Sequence, residues 1–138
     1  MGEFREATLL NAAQLIVSPG VDQQLPAIRK AVQSGVPVTG DVDIFVHAVA
    51  APLIAITGSN AKSTVTTLVG EMAKADGVDV RVAGNIGLPV LDLLREPPAS
   101  LYVLELSSFQ LETTHDLGAE VATVLNLSLD HMDRYESM

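Results

Sequence analysis

The most informative segment of this sequence is Ile56-Thr57-Gly58-Ser59-Asn60-Ala61-Lys62-Ser63-Thr64. It ends an apolar run that starts at Leu53, turns on small residues, and opens a helical pattern at Lys62. Such a turn leaves free backbone N–H groups at a helix start, where they and the helix dipole attract an anion. The stretch therefore predicts a phosphate-binding loop over residues 58–64, with Lys62 on the outer phosphates and a Ser63 or Thr64 hydroxyl on magnesium.

This loop departs from the general P-loop pattern at two glycine positions. Ile56 stands at the first of them, where the nearest glycine is Gly58, and Ala61 stands directly before the lysine. Ala61 costs on the order of 1 kcal/mol if the backbone there needs a positive φ, and nothing if it is helical. The alternative interpretation is an ordinary strand-to-helix turn with a solvated Lys62.

Apolar runs alternate with helical patterns along the rest of the chain. Strands are predicted at residues 15–17, 53–57, 78–83, 101–106 and 121–127, and helices at 26–34, 41–49, 62–76 and 89–94. Apolar strands separated by helices predict an α/β fold whose parallel sheet is covered on both faces. Because such sheets bind ligands at the carboxyl ends of their strands, the residues after each strand are the functional candidates.

The composition narrows the class of protein. The 138 residues contain 8 Lys and Arg against 17 Asp and Glu, giving a net charge of −9, which disfavours binding to nucleic acid or to an anionic membrane. There is no Cys, and so no disulfide or thiol nucleophile. The richest apolar stretch, residues 45–56, is too short to span a bilayer, and we expect a soluble cytoplasmic protein.

Polar residues at the other strand ends are further candidates. Glu105 lies inside the apolar run 101–106, where a buried acid needs a partner or a metal ion; the alternative is an edge-strand Glu that faces solvent. Asp130, His131 and Asp133 follow the last predicted strand and suit metal or phosphate chemistry, although a lone loop histidine is often a bystander. Segments 84–87 (Gly-Asn-Ile-Gly) and 18–20 (Ser-Pro-Gly) indicate either a close approach of backbone to a ligand or tight turns.

Four segments together resemble the Mur ligase family in order and spacing: residues 57–64, 84–87, 105–111 and 130–133. The resemblance covers nearly the whole chain. It implies a three-layer parallel sheet of P-loop type, preceded by the end of a Rossmann-like domain. The implied division is the end of a UDP-substrate domain at 1–40 and the first half of a central ATP-binding domain at 41–138.

The resemblance also implies an activity, ATP-dependent amide ligation in peptidoglycan synthesis. In the family ATP phosphorylates a carboxylate of a UDP-linked precursor, and the amine of an amino acid then displaces phosphate. The amino-acid sequences of segments 107–112 and 130–135 resemble those of the family members that add D-glutamate to UDP-N-acetylmuramoyl-L-alanine. The implied catalytic residues are Lys62, Glu105 and His131; the metal ligands are Ser63, Thr64, Glu105 and His131; and the substrate contacts are Ser18, Pro19, Gly20, Asn85, Ser107 and His131.

The family's C-terminal domain and its carbamylated, metal-bridging lysine have no counterpart in these residues. We therefore expect a truncated chain that does not ligate alone and that self-associates through an open sheet edge, whereas the full-length relative is expected to be a monomer. One alternative is a module that binds nucleotide without turnover. Another is a different ligase of the superfamily, such as a folylpolyglutamate synthase, which the Ser-Pro-Gly and Ser-Ser-Phe-Gln segments disfavour.

Overall fold

The structure, a computed structural model, describes residues 4–128; the predicted cluster of Asp130, His131 and Asp133 lies outside the described residues. The helices are α1 (Glu6–Leu10), α2 (Pro26–Gln33), α3 (Asp41–Ala48), α4 (Lys62–Ala75) and α5 (Ser108–Leu111), with a 3₁₀ helix at Val90–Arg95. The strands are β1 (Leu15–Ile16), β2 (Val38–Thr39), β3 (Leu53–Thr57), β4 (Val80–Gly84), β5 (Leu101–Glu105) and β6 (Val121–Val124). None of the helices among these residues is long and apolar enough to cross a membrane.

Two parallel sheets organise the described part of the chain. The larger has the strand order β4-β5-β3-β6, and the smaller pairs β1 with β2. All pairings of the larger sheet are parallel, with Ile56 opposite Glu105 and Thr57 opposite Val124. The predicted α/β class with a parallel sheet is confirmed, and the carboxyl ends of β3, β4, β5 and β6 share one edge.

The core forms on both faces of the larger sheet because successive side chains of its strands point to opposite faces. On one face, Leu53, Ala55 and Leu104 pack with α3 and the 3₁₀ helix, where the Phe45 and Tyr102 rings meet edge to face at 5.1 Å. On the other face, Ile56, Val80 and Val103 pack against the α4 side chains Val65 and Val69. Helices on both faces make the three layers that the sequence predicts.

Helix α4 meets the sheet differently from the prediction. The sequence pattern groups Leu68 and Met72 with Val65 and Val69, but Leu68 and Met72 are more than half exposed. The fully buried residues of the helix are Thr66 and Gly70. A Cβ on Gly70 would lie 2.3 Å from a Val82 methyl group, so the missing side chain lets α4 approach β4 closely.

Helix α3 also begins differently from the prediction. The helical pattern at 41–49 starts with Asp41, a residue type that often caps a helix and is therefore the expected cap, but Gly40 is the N-cap residue and Asp41 lies in the first turn. A Cβ on Gly40 would lie 2.2 Å from Thr113 Oγ1, and the Gly40 N–H donates to the Thr113 carbonyl. Close contact with Thr113 therefore leaves no room for a capping side chain at this position.

Candidate functional site

The carboxyl edge of the larger sheet gathers most of the predicted site residues. The phosphate-loop residues 58–61 follow β3, Asn85 follows β4, and Glu105 and Ser107 lie at the end of β5. Ser18, Pro19 and Gly20 follow β1 instead, in the separate two-stranded sheet. The larger sheet thus brings the loop, Asn85, Glu105 and Ser107 to one edge, while residues 18–20 follow a strand of the other sheet.

The phosphate loop has two residues in the positive-φ region. Gly58 has φ +148°, and a Cβ there would lie 3.2 Å from the backbone N and O of Asn126. Ala61, the N-cap of α4, has φ 65° and ψ 6°. Among residues 4–128 it is the only residue other than glycine with a positive φ. The second alternative for Ala61, a helical backbone, is therefore wrong. Its left-handed conformation stores strain on the order of 1 kcal/mol.

Lys62 is the first residue of α4 and turns back over the loop. Its Nζ donates a hydrogen bond to the Ser59 carbonyl at 3.3 Å, and the residue is half-buried. Ser63 and Thr64 occupy the same first turn and are exposed. No side chain of residues 4–128 caps this helix start, so its first N–H groups stay available to an anion. The arrangement favours the phosphate-loop interpretation over a solvated lysine.

Contacts with the segment after β6 hold the loop in shape. The Asn60 N–H donates to Asn126 Oδ1 at 2.8 Å, and Asn126 Nδ2 donates to the Asn60 carbonyl at 2.9 Å. The Ser59 N–H donates to the Asn126 carbonyl at 3.1 Å, and the Ser128 N–H to Ser59 Oγ at 2.9 Å. Sequence reasoning assigned no role to Asn126. The available signal was an amide residue near the carboxyl end of the last predicted strand, 121–127.

Glu105 is buried at the end of a strand that lies between two others. The carboxylate belongs to β5, between β4 and β3, and its residue is 1% exposed. The alternative of an edge-strand Glu facing solvent is therefore wrong. Because residues two apart share a face, Glu105 points to the same side as Val103, which is the side covered by α4.

One carboxylate oxygen of Glu105 has a partner and the other has none. Oε1 accepts a hydrogen bond from Asn85 Nδ2 at 2.8 Å, whereas buried Oε2 has no hydrogen-bond partner among the described residues. The Asn85 N–H also donates to the Glu105 carbonyl at 2.9 Å. An unpaired buried carboxylate oxygen is costly, and a hard cation such as Mg²⁺ is the partner that suits it. Glu105 therefore fits a metal site.

Other donors to such an ion are few in the described part of the chain. Among residues 4–128, no group of three or more His, Asp or Glu side chains could hold a metal ion together. Glu105 is thus an acidic candidate ligand that no second carboxylate or imidazole of the described residues accompanies. A coordination sphere that relies on few carboxylates and on phosphate oxygens is typical of Mg²⁺ at nucleotide sites.

Ser107 caps the short helix α5. Its hydroxyl accepts from the Gln110 N–H at 3.2 Å, and its own N–H donates to Gln110 Oε1 at 3.0 Å. This capping box orients the chain just beyond Glu105. The hydroxyl predicted to contact substrate is therefore also part of the helix start.

A second polar cluster joins α3 to the segment after α5, through Asp43. Its carboxylate accepts from the Thr39 hydroxyl at 2.8 Å and from the His115 N–H at 2.9 Å. Burial alone raises the pKa of Asp43 and is the largest single influence, but the hydrogen bonds from His115, Thr39 and Asp116 together outweigh it and hold that pKa below its ordinary value of 3.8. The cluster ties the chain before β3 to the chain after β5.

The fold and the loop after β3 define a parallel α/β protein with a phosphate-binding loop. Residues 56–138 match the family described as Mur ligase middle domain, and residues 1–40 match that described as Mur ligase MurD-like, N-terminal domain. The chain belongs to the Mur ligase family.

Curated relatives and a solved structure agree with this membership. The chain is 62% identical to the UDP-N-acetylmuramoylalanine–D-glutamate ligase of Marinobacter nauticus and 57% identical to that of Sodalis glossinidius, over 98% of its own length in both cases. It covers 30% and 31% of those relatives. The solved UDP-N-acetylmuramate:L-alanyl-gamma-D-glutamyl-meso-diaminopimelate ligase from Neisseria meningitides superposes with a TM-score of 0.58 at 15% identity, covering 96% of this chain and 47% of that one. This last likeness concerns the fold alone.

Proposed function

We propose that this chain supplies the phosphate-binding loop and a magnesium ligand of an ATP-dependent ligase that joins D-glutamate to UDP-N-acetylmuramoyl-L-alanine. Relatives named for that ligation share up to 62% of its residues, although the chain spans about 30% of their length. The observation that carries the proposal is the buried, unpaired Oε2 of Glu105 at the sheet edge where Lys62 opens α4. A folylpolyglutamate synthase is less well supported, because the relatives at this identity are named for D-glutamate.

The loop binds the phosphates of the nucleotide in this proposal. Its N–H groups and the positive end of the α4 dipole attract the negatively charged phosphates, and the Lys62 ammonium group adds a positive charge on a flexible side chain. In phosphoryl transfer the negative charge shifts among the oxygens of the transferred group, and fixed donors stabilise it best because they need no reorganisation. Lys62 leaves the Ser59 carbonyl and binds the phosphate instead.

Glu105 holds the metal ion in this proposal, with the Ser63 or Thr64 hydroxyl as a further oxygen ligand. When bound, the ion neutralises charge on the phosphate oxygens. Asn85 keeps Oε1 engaged, so that Oε2 is the oxygen presented to the ion. His131, which lies outside the described residues, remains a predicted second-metal and substrate ligand.

The remaining assignments stay predictions. Asn85 and Ser107 lie at the phosphate-loop edge, and residues 18–20 are predicted to meet the uridine diphosphate end of the substrate. The division at residues 40 and 41, a cytoplasmic location and self-association are likewise predictions. For the 138-residue chain by itself we expect nucleotide binding without turnover, which phosphate release that depends on D-glutamate would contradict.

Calorimetric titration with MgATP tests the proposal. We expect binding that requires Mg²⁺ and that Lys62→Ala weakens about tenfold to a hundredfold, since a hydrogen bond to a charged group contributes about 1.5–3 kcal/mol. Lys74→Ala is the matched control, because Lys74 lies in the last turn of the same helix and pairs with Glu71 in solvent. Equal affinity of wild type and Lys62→Ala, or no dependence on Mg²⁺, would refute the proposal.

A further inference from the structure

We propose that Asn126 is a positioning residue for the phosphate loop: its side-chain amide sets the orientation of the Asn60–Ala61 peptide and so holds Ala61 in the left-handed conformation that the loop needs. The proposal rests on the proposed function only in taking the bound anion to be a nucleotide phosphate. Asn126 follows β6, the neighbour of β3, and contacts the loop from the side opposite β5.

The amide of Asn126 bonds to both backbone polar groups of Asn60. Oδ1 accepts from the Asn60 N–H at 2.8 Å, and Nδ2 donates to the Asn60 carbonyl at 2.9 Å. A single contact would leave residue 60 free to rotate about it. Two contacts of opposite polarity fix both peptide planes that flank this residue. We call this pair of hydrogen bonds the Asn126 clamp.

The clamp determines where the next N–H points. In a trans peptide the carbonyl oxygen and the following amide hydrogen lie on opposite sides of the chain, and no cis peptide occurs among the described residues. Because the Asn60 carbonyl points to Asn126, the Ala61 N–H points away from Asn126. The clamp thus directs the Ala61 N–H toward the opposite side of the loop, where it does not form a hydrogen bond with the segment after β6.

The strain at Ala61 makes the clamp necessary. A non-glycine residue keeps a left-handed backbone only where surrounding contacts fix it, and Ala61 has φ 65° while its side chain is exposed. Packing around the Ala61 methyl group therefore cannot be what fixes it. The neighbouring contacts are the clamp on one side and the start of α4 on the other.

The chemistry also explains why an amide suits position 126 better than a carboxylate. An aspartate could accept from the Asn60 N–H, but it has no donor for the Asn60 carbonyl, and its second oxygen would face that carbonyl oxygen at hydrogen-bond distance. Its charge would in addition oppose a bound phosphate. Asn126→Asp therefore breaks half of the clamp at nearly constant volume, and Asn126→Ala removes all of it.

The experiment is a MgATP titration of wild type, Asn126→Asp and Asn126→Ala. Asn11→Asp is the matched control, because Asn11 Nδ2 also donates to a backbone carbonyl, that of Ala7 at 2.8 Å, at the end of α1 rather than in the loop. We expect both Asn126 variants to bind about tenfold more weakly, and Asn11→Asp to bind as wild type does. Wild-type affinity in Asn126→Ala would overturn the inference.

Combination with Ala61→Gly separates positioning from charge and from general loss of stability. Glycine tolerates a positive φ without strain, so it should keep the loop shape after the clamp is removed. We expect Ala61→Gly to restore most of the affinity lost in Asn126→Ala, but only part of that lost in Asn126→Asp, where the charge remains. Absence of any rescue in the Ala pair would overturn the inference.

Amide hydrogen exchange tests the clamp without nucleotide. The Asn60 N–H donates to Asn126 Oδ1, so its exchange should be about tenfold faster in Asn126→Ala, with little change for amides of β5. Unchanged exchange at Asn60 would refute the clamp even if the titration agreed. Failure of wild type to bind MgATP, with the expected exchange result, would instead refute the proposed function and leave the clamp standing.

Discussion

Ala61→Gly should make the protein more stable, although glycine replacements usually destabilise. Ala61 has φ 65°, where the Cβ atom crowds the backbone at a cost of about 1–2 kcal/mol, and glycine removes that cost. Glycine also gives the unfolded chain more freedom, which costs about 0.5–1 kcal/mol. The exposed methyl group contributes little burial. The net expectation is a gain of about 0.5–1 kcal/mol in the free energy of unfolding.

Urea unfolding followed by circular dichroism measures this gain. With a slope of about 2 kcal/mol per molar urea, the midpoint should rise by about 0.3–0.5 M. Ala75→Gly is the matched control: Ala75 is exposed in the last turn of the same helix, where glycine lowers helix stability by up to about 1 kcal/mol. If Ala61→Gly lowered the midpoint as Ala75→Gly does, Ala61 would not carry left-handed strain, and the argument from its backbone would fail.

Two further predictions concern the site edge and the Asp43 cluster. Gly84→Ala should lower the free energy of unfolding in urea by more than about 2 kcal/mol, because its Cβ would lie 2.1 Å from the Glu105 carbonyl oxygen. Gly77→Ala is the control: Gly77 has φ +81° and no atom within 4 Å of its added Cβ among the described residues, so the loss should be about 1 kcal/mol. Equal losses in the two variants would contradict the clash. The pKa of Asp43 is lowered in the native state, so its ionised form adds to the free energy of unfolding above about pH 4, and this contribution is lost as the pH falls through the native pKa. In Asp43→Asn the free energy of unfolding, measured between about pH 2 and 5, should therefore fall less steeply with decreasing pH. A loss of unchanged steepness would show that other carboxylates cause it.

The sequence predicted the elements whose pattern is local. β3 and α4 were predicted to within one residue at either end, because an apolar strand, a small-residue turn and an amphipathic helix follow one another directly. β6 is shorter than predicted, and β2 was not predicted at all, since two residues leave no periodic pattern. The exposed side of α4 was misjudged because Gly70, with no side chain, sets how the helix approaches β4.

In the candidate site, too, the sequence predicts the features that depend on local pattern and misses those that depend on contacts between distant residues. Lys62 could be proposed from its place at a helix start, after an apolar strand and a short turn, and Glu105 from its place near a strand end; each place is a property of its own segment. The backbone conformation of Ala61 could not be decided, because it depends on whether residues more than sixty positions away hold the loop. Asn126 is such a residue, and nothing in the sequence around it distinguishes an amide that clamps another loop from one that caps its own turn.

The register of β3 shows why the two halves of the site depend on one strand. Ile56 lies opposite Glu105 on one side, and Thr57 lies opposite Val124 on the other, so the phosphate loop begins between the carboxylate and the Asn126 clamp. A slip of one residue between β3 and β5 would turn Glu105 from the α4 face to the α3 face, because side chains alternate. The Thr57 hydroxyl donates to the Leu106 carbonyl at 2.8 Å, one residue past the last paired residues, Ile56 and Glu105. This hydrogen bond would be lost in a slipped register, so it stabilises the observed one. The position of Glu105, the proposed metal ligand, relative to the loop is therefore fixed by strand pairing, while in our proposal the side chain of Asn126 fixes the shape of the loop.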